Sequence, residues 1–342
     1  MENELSTNDV EKLLDQMDHK LSNKPHVILT GGNPMISPAF WKILSLFSKN
    51  GYTYSVSTTP SERINVDSIL KLASMGVKSI SLSLDGTPQV HDHIRNKKGA
   101  FKNLVEIIPM IMDSGIKVQI NTTIMKENVY LLPFIFKILR NLNVNVWEIF
   151  FLVKTGRGKF EESISPEESD QLLKYLVLVS KTGMEIRFVE APEANRVRIQ
   201  TIEDNKSNGG DLFDELCLKT MELTGIDVRK LYTDFYQTEY RRAKTLFISS
   251  IGDIYPSGLF PLKLGNIREN SILGILDNNE ILNNIQNSEV LTGYCKQCQF
   301  SKVCGGSRAR AYCENGIWTG DDPLCSLVSK KNEGKNLPGI II

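Results

Sequence analysis

An α/β chain is the fold class that the sequence predicts: a parallel sheet or partial barrel of five or six strands, followed by a second, smaller, cysteine-rich domain. Three observations carry it. From His26 to Val153, short apolar runs alternate with longer amphipathic stretches at intervals suited to strand and crossover-helix units. Beyond about Ala191 the texture turns polar and glycine-containing, as at TIEDNKSNGGD from Thr201, which reads as a loop or mobile insertion. Five of the six cysteines then fall between Cys295 and Cys325, far too clustered for a disulfide framework.

The strands read in order as HVILTGG from His26, YTYSVSTT from Tyr52, VKSISLSLDG from Val77, KVQINTTI from Lys117 and VWEIFFLV from Val146, with a sixth at MEIRFVE from Met184. Each has the apolar pattern of a buried strand and most end in small or polar residues. Between them, SPAFWKILSLFSKNG from Ser37 predicts a helix capped by Ser37 with Pro38 at its first position and stopped at Gly51. NVDSILKLASMG and FKNLVEIIPMIMDSG also end at glycine. ISPEESDQLLKYLVLVSKTG carries a capping box, Ser165 with Glu168. Near the amino terminus ELSTNDVEKLLDQMDHKL predicts a helix capped by Ser6 or Thr7, and late in the chain LFISSIGDIYPSG predicts a hairpin turning at Gly252-Asp253, then a short helix.

Composition removes several functions. The 342 residues, 41% hydrophobic, suffice for one large core plus a smaller one. Forty basic and forty acidic side chains balance to zero with no basic block, so nucleic acid is not an expected partner. No apolar run approaches the ~20 residues of a membrane span, and the acidic, polar amino terminus has no signal-peptide core, so a cytoplasmic chain is expected. In that compartment thiols stay reduced, which points the cysteine cluster toward a metal.

A β/α repeat places functional groups at the carboxyl ends of its strands. Those ends hold Thr30-Gly31-Gly32, Ser57, Ser83-Leu84-Asp85-Gly86, Asn121 and Thr155-Gly156-Arg157-Gly158. Glycines let a backbone approach a ligand closely, though a Gly-Gly pair after a strand also serves as a simple turn. Arg95 could fork onto a carboxylate or lie solvated on the surface. His91 and His93 have a spacing that invites a metal, with a structural role the stronger reading. Thiolates are soft ligands, so Cys295, Cys298, Cys304 and Cys325, with two, five and twenty residues between them, suit either structural zinc or an iron–sulfur cluster. Arginines in ARAYC, TGRGK and EAPEANRVRIQ could meet substrate carboxylates or simply lie solvated.

From about Leu5 to Cys325 the chain resembles the radical S-adenosylmethionine (SAM) superfamily with a C-terminal SPASM or twitch domain, similar to heme-biosynthesis and peptide-maturation members. The resemblance rests on ILTGGNP, SLSLDG followed by HDHIR, and the cysteine region with CGGSRARAY and DPLC. It implies a partial (β/α)6-type radical SAM barrel missing its first strand over residues 1–190, a linker or insertion over 191–245, and a SPASM/twitch α+β iron–sulfur domain over 246–342. It implies a SAM site in which Gly31, Gly32 and Asn33 meet the methionyl amine. Arg95 would hold the SAM carboxylate, Ser57, Ser83 and Asp85 the ribose hydroxyls, and Asn121 and Val153 the adenosine. Asn33 stands where an acidic residue is common. The resemblance also implies an auxiliary [4Fe-4S] cluster on Cys295, Cys298, Cys304 and Cys325, with Cys313 spare. Ser257 stands near where larger SPASM domains carry a cysteine, which implies one auxiliary cluster rather than two.

The C-x3-C-x2-C set that holds the SAM-cleaving cluster in this family is not in the sequence, whose only cysteine before position 295 is Cys217. Two expectations follow. In one, Met1 is an internal start or the gene is truncated, and the chain belongs to a radical SAM/SPASM oxidoreductase or maturase acting on a tetrapyrrole precursor or peptide, served by an electron donor. In the other, the chain is a non-catalytic iron–sulfur binding or electron-transfer protein, or a zinc-stabilised interaction domain.

Overall fold

A computed structural model describes residues 3–18, 23–203, 209–231 and 245–335. Its larger sheet has six parallel strands: β1 (Val27–Leu29), β2 (Tyr54–Ser57), β3 (Ser79–Ser83), β4 (Lys117–Ile124), β5 (Val146–Phe151) and β6 (Glu185–Val189). Each lies inside one of the six predicted runs, and each pairs with the next in chain order. Helices α1 (Thr7–Asp18), α2 (Phe40–Lys49), α3 (Val66–Ser74), α4 (Pro88–Ile94), α5 (Ala100–Asp113), α6 (Leu132–Asn141), α7 (Pro166–Ser180), α8 (Glu193–Glu203) and α9 (Asp211–Thr224) precede and interleave with the strands or follow them.

Strand alternation divides the sheet chemically. Val56, Ile80, Leu82, Val118, Ile120, Trp147 and Ile149 form a continuous core with Leu44, Leu72, Leu104, Ile135 and Leu172 of the helices. Trp147 is fully buried, and its indole N–H donates to Thr122 Oγ1 at 2.8 Å. The opposite face is polar and half open. One rung across it runs Ser83, Asn121, Glu148, Arg187, and the next includes Ser57, Ser81 and Gln119.

Local signals set the helix ends. Ser6 caps α1, its Oγ accepting the Asp9 N–H at 3.2 Å while Asp9 accepts the Ser6 N–H at 2.8 Å. Ser165 and Glu168 close the predicted capping box of α7, and Asn65 with Ser68 closes another on α3. The helix expected from Ser37 starts later, at Phe40. Asn33 caps a 3-10 turn at Pro34–Ile36, whose Pro34 carbonyl takes the Ser37 N–H, so Ser37 ends that turn instead of starting a helix. The stretch 191–245 is more structured than a linker where it is described: Ala194 and Val197 of α8, and Leu212, Phe213 and Leu216 of α9, join the core of the sheet and its helices. Positions 204–208 and 232–244 lie outside the described residues.

A second sheet holds three short antiparallel strands, β7 (Phe247–Ile248), β8 (Asp253–Tyr255) and β9 (Gly265–Asn266). The expected hairpin turns one step earlier than read, over Ser249–Gly252, because Asp253 is already paired in β8. Gly252 has φ of +88°, and a β-carbon there would meet Asn266 Oδ1 at 3.0 Å, so the turn requires glycine. Helices α10 (Ile272–Asn278), α11 (Glu280–Asn284), α12 (Gly293–Gln297), α13 (Arg308–Asn315) and α14 (Ser326–Lys335) complete this part. Helix α1 bridges the two sheets: Val10 and Leu14 enter the larger core, while Leu13 packs against Ile254 and Ile272 in the smaller one.

Candidate functional site: a polar strand face and a four-thiol cavity

Ser57, Ser83 and Asn121 lie on the polar face of the larger sheet, as expected of a ligand site. Beside them are three residues the sequence reading did not single out. Gln119 Nε2 donates to both Asn121 Oδ1 and Glu148 Oε2 at 2.9 Å, and Arg187 Nη1 donates to Gln119 Oε1 at 2.8 Å. Burial pushes the Glu148 carboxyl above its usual value, with Arg187 and Gln119 opposing. The signal for Glu148 was its position in VWEIFF, a charge in the middle of an apolar strand. Gly31 adopts φ of +143°, and no protein atom lies within 4 Å of where a β-carbon would stand at Gly31 or Gly32. That open, glycine-walled end fits the backbone approach expected of a SAM site.

Other predicted residues are already occupied. Asn33 Oδ1 accepts from Met35 N at 3.0 Å and Thr58 Oγ1 at 3.1 Å, and its Nδ2 donates to Ser61 Oγ at 2.8 Å. Asp85 does not share the open face of Ser83. It is fully buried beyond the strand end, where Arg95 reaches its Oδ2 through Nε at 2.7 Å and Nη2 at 2.5 Å. Against the upward push of burial, His91 and Arg95 hold Asp85 below the usual carboxylate range. His91 is buried and accepts the Asp85 N–H at 3.2 Å, whereas His93 is exposed, so the pair does not share a ligand. Val153 does not open to a ligand either: it is buried with Phe260 and Ala309, joining the strand end to the C-terminal part.

The four predicted cysteines converge. Cys295, Cys298, Cys304 and Cys325 line one cavity of about 300 Å3, part of it open to solvent, with Arg196, Tyr294, Phe300, Gly305 and Gly306 among the other walls. All six cysteines are free thiols, and Cys313 lies away from the cavity, against Trp318 and Tyr312. Among the described residues no three Cys, His, Asp or Glu side chains are placed to share one metal ion. Thiols disposed around a volume rather than a point suit a polynuclear cluster better than tetrahedral zinc.

The loop around the cavity is anchored on all sides. Asp321 accepts the Tyr294 and Cys295 N–H groups at 3.0 and 2.7 Å, capping α12 from across the loop. Gly305 and Gly306 both take φ of +68°, and the Gly306 N–H donates to Cys304 Sγ at 3.4 Å. Arg310 forks onto buried Asp322 at 2.8 and 2.7 Å, and also reaches Glu193 and the Glu190 carbonyl. Burial pushes Glu193 up to about 8 with Arg310 opposing, while Arg310 overcomes the same burial to hold Asp322 low. Asn195 Nδ2 donates to the Val303 carbonyl at 2.8 Å. Helix α8 is therefore the clasp between the sheet and the cysteine loop. The arginines read as possible substrate contacts in EAPEANRVRIQ and ARAYC include Arg196, Arg308 and Arg310, which are all buried here.

Burial raises the Cys295 thiol to about 11 and Cys325 to about 12, and raises Cys304 as well. Thiolate ligation must expel those protons, so loading of the site is favoured as pH rises. The Arg196 Nε, inside the cavity wall, is buried with no hydrogen-bond partner in the protein, a situation that costs about 1–3 kcal/mol unless something in the cavity accepts it.

Comparison with known proteins agrees with this architecture. A family model described as "Radical SAM superfamily" matches residues 1–129, and one described as SPASM, "Iron-sulfur cluster-binding domain", matches residues 240–299. An AdoMet-dependent heme synthase of Nitratidesulfovibrio vulgaris is 30% identical over 96% of this chain and 85% of its own length. One from Methanosarcina barkeri is 28% identical over 94% and 87%. The fold resembles anSMEcpe with bound AdoMet, with a TM-score of 0.66 at 15% identity, covering 97% of this chain and 90% of that one. It also resembles Streptococcus suis SuiB bound to precursor peptide SuiA, with a TM-score of 0.64 at 16% identity over 93% and 69%. The chain belongs to the radical SAM superfamily. Within it, the chain carries a C-terminal SPASM iron–sulfur domain. No described helix is long and apolar enough to cross a membrane.

Proposed function

We propose that this chain binds SAM and a tetrapyrrole as part of a radical SAM/SPASM oxidoreductase, with one auxiliary [4Fe-4S] cluster on Cys295, Cys298, Cys304 and Cys325. The observation that favours a tetrapyrrole over a peptide is coverage. Heme synthases match 94–96% of the chain, whereas mycofactocin maturases match 52%. Fe-coproporphyrin III synthase of Methanosarcina barkeri also matches across 96%, at 24% identity.

In this reading Gly31 and Gly32 bring backbone close to SAM, and Ser57, Ser83 and Asn121 offer hydroxyl and amide groups beside it. Arg95 serves a SAM carboxylate only by leaving Asp85, so its first role is to neutralise that buried carboxylate. Arg187 and Arg157, both exposed, supply cations for the propionate groups of a tetrapyrrole. Glu148, with its raised pKa, orders Gln119 and the Asn121 amide. The auxiliary cluster, when bound, supplies one-electron redox chemistry next to α8. The ligands of a SAM-cleaving cluster are not among the six cysteines, so the residues here account for binding and orientation rather than for SAM cleavage.

Anaerobic purification followed by iron, sulfide and zinc analysis tests the cluster, with about four irons and four sulfides per chain expected. Equilibrium dialysis with SAM and absorbance titration with Fe-coproporphyrin III and heme test the ligands, with Arg187→Gln expected to weaken tetrapyrrole binding about tenfold. Zinc near one per chain without sulfide would replace the cluster by a structural knuckle. Iron and sulfide without binding of SAM or either tetrapyrrole would leave an iron–sulfur electron-transfer protein.

A further inference from the structure

Helix α8 carries the guanidinium of Arg196 into the wall of the four-thiol cavity, at 2% exposure. Its two terminal nitrogens are spoken for: Nη1 and Nη2 fork onto Asp170 at 3.0 and 2.5 Å, and Nη1 also donates to Gln200 Oε1 at 2.7 Å. Asp170 is itself fixed by Ser326 Oγ at 2.5 Å, and Ser326 directly follows Cys325. The fork thus immobilises the guanidinium plane against the cysteine loop and leaves one donor unused. That donor, Nε, is buried and has no acceptor in the protein. Leaving a buried N–H unmet is costly, so its acceptor belongs to whatever fills the cavity.

We propose that Arg196 Nε donates a hydrogen bond to a sulfur of the auxiliary cluster, cysteinyl or inorganic, and raises the cluster's reduction potential. The proposal rests on the iron–sulfur reading of the four cysteines. A donor facing a sulfur stabilises the extra electron of the reduced cluster more than it stabilises the oxidised one, so it shifts the one-electron couple upward. Arg196 is here a positioning and tuning residue. Asp170 and Ser326 make the tuning rigid, because the guanidinium cannot turn away without breaking its fork.

The test is redox titration of the loaded full-length protein followed by electron paramagnetic resonance, comparing the parent with Arg196→Lys, which keeps a cation for Asp170 and removes Nε. The expected result is an oxidised-to-reduced ratio about tenfold higher in the variant at a fixed potential, a midpoint 59 mV lower by the one-electron conversion. Because the variant might not load its cluster, the parent is also prepared with arginine carrying the heavy nitrogen isotope. A hyperfine coupling from that nitrogen to the reduced cluster is expected. A midpoint unchanged in Arg196→Lys, or an absent nitrogen coupling in the parent, overturns the hydrogen bond. A parent without iron and sulfide overturns the cluster itself, and the two failures are told apart by that analysis.

Discussion

At the scale of single residues, the strongest organising element is Arg310, a fully enclosed cation shared between Asp322, Glu193 and the Glu190 carbonyl. Removing one partner of a buried pair leaves the other charge unmatched, so Arg310→Ala is expected to cost about 3–5 kcal/mol in urea unfolding. Glu193 offers a pH signature. Its carboxyl is raised from 4.5 to about 8 in the folded protein, so between those values the folded state keeps a proton that the unfolded chain has released. Its contribution is complete below about pH 4.5 and is lost as pH rises through 8. Glu193→Gln should therefore flatten the fall in Tm over that interval, as read by thermal unfolding at stepped pH. The sequence revealed which cysteines meet, because their spacing is local. It did not reveal that Arg95 serves Asp85, or that Asn33 spends its amide on Met35, Thr58 and Ser61. Those partners are equally plausible as ligand contacts until a loop's path is known.

Among the elements, all six strands of the main sheet were legible, because a buried strand must alternate apolar and polar groups and then end in small residues. Caps at Ser6 and Ser165 were legible for the same local reason, and Ser165→Ala is expected to cost about 1 kcal/mol of stability in chemical denaturation. Helix α8 was not legible. EANRVRIQTIE is polar because it faces a charged loop instead of an apolar core, and only the fold shows that Glu193, Asn195 and Arg196 point to the cysteine region. Short helix α12 is likewise invisible as a pattern, since its cap, Asp321, lies 26 residues beyond Cys295. Asp321→Ala is expected to free the Tyr294 and Cys295 amides and speed iron loss to a chelator about tenfold. The parallel measurement on Asp321→Asn, which keeps an acceptor oxygen, should show a smaller effect.

At the scale of the whole molecule, the ties between the two sheets run through α1, α8 and the Val153–Phe260–Ala309 contact. A loaded cysteine site should consequently protect the main sheet as well: iron removal is expected to lower the unfolding midpoint of the buried Trp147 signal, measured by intrinsic fluorescence in denaturant. Strand order gives a further consequence. In the main sheet every strand pairs with its predecessor, so each can dock as it leaves the ribosome, closing loops of only a few tens of residues. The cysteine region contrasts with this, since Asn195 and Val303 meet across 108 positions. Synthesis thus delivers a nearly finished sheet, with the wall residue Arg196 already in place, before the first of the four thiols has emerged. Metal insertion is the closing event of maturation, and a cell short of iron or sulfide would accumulate a folded, colourless precursor rather than an unfolded one.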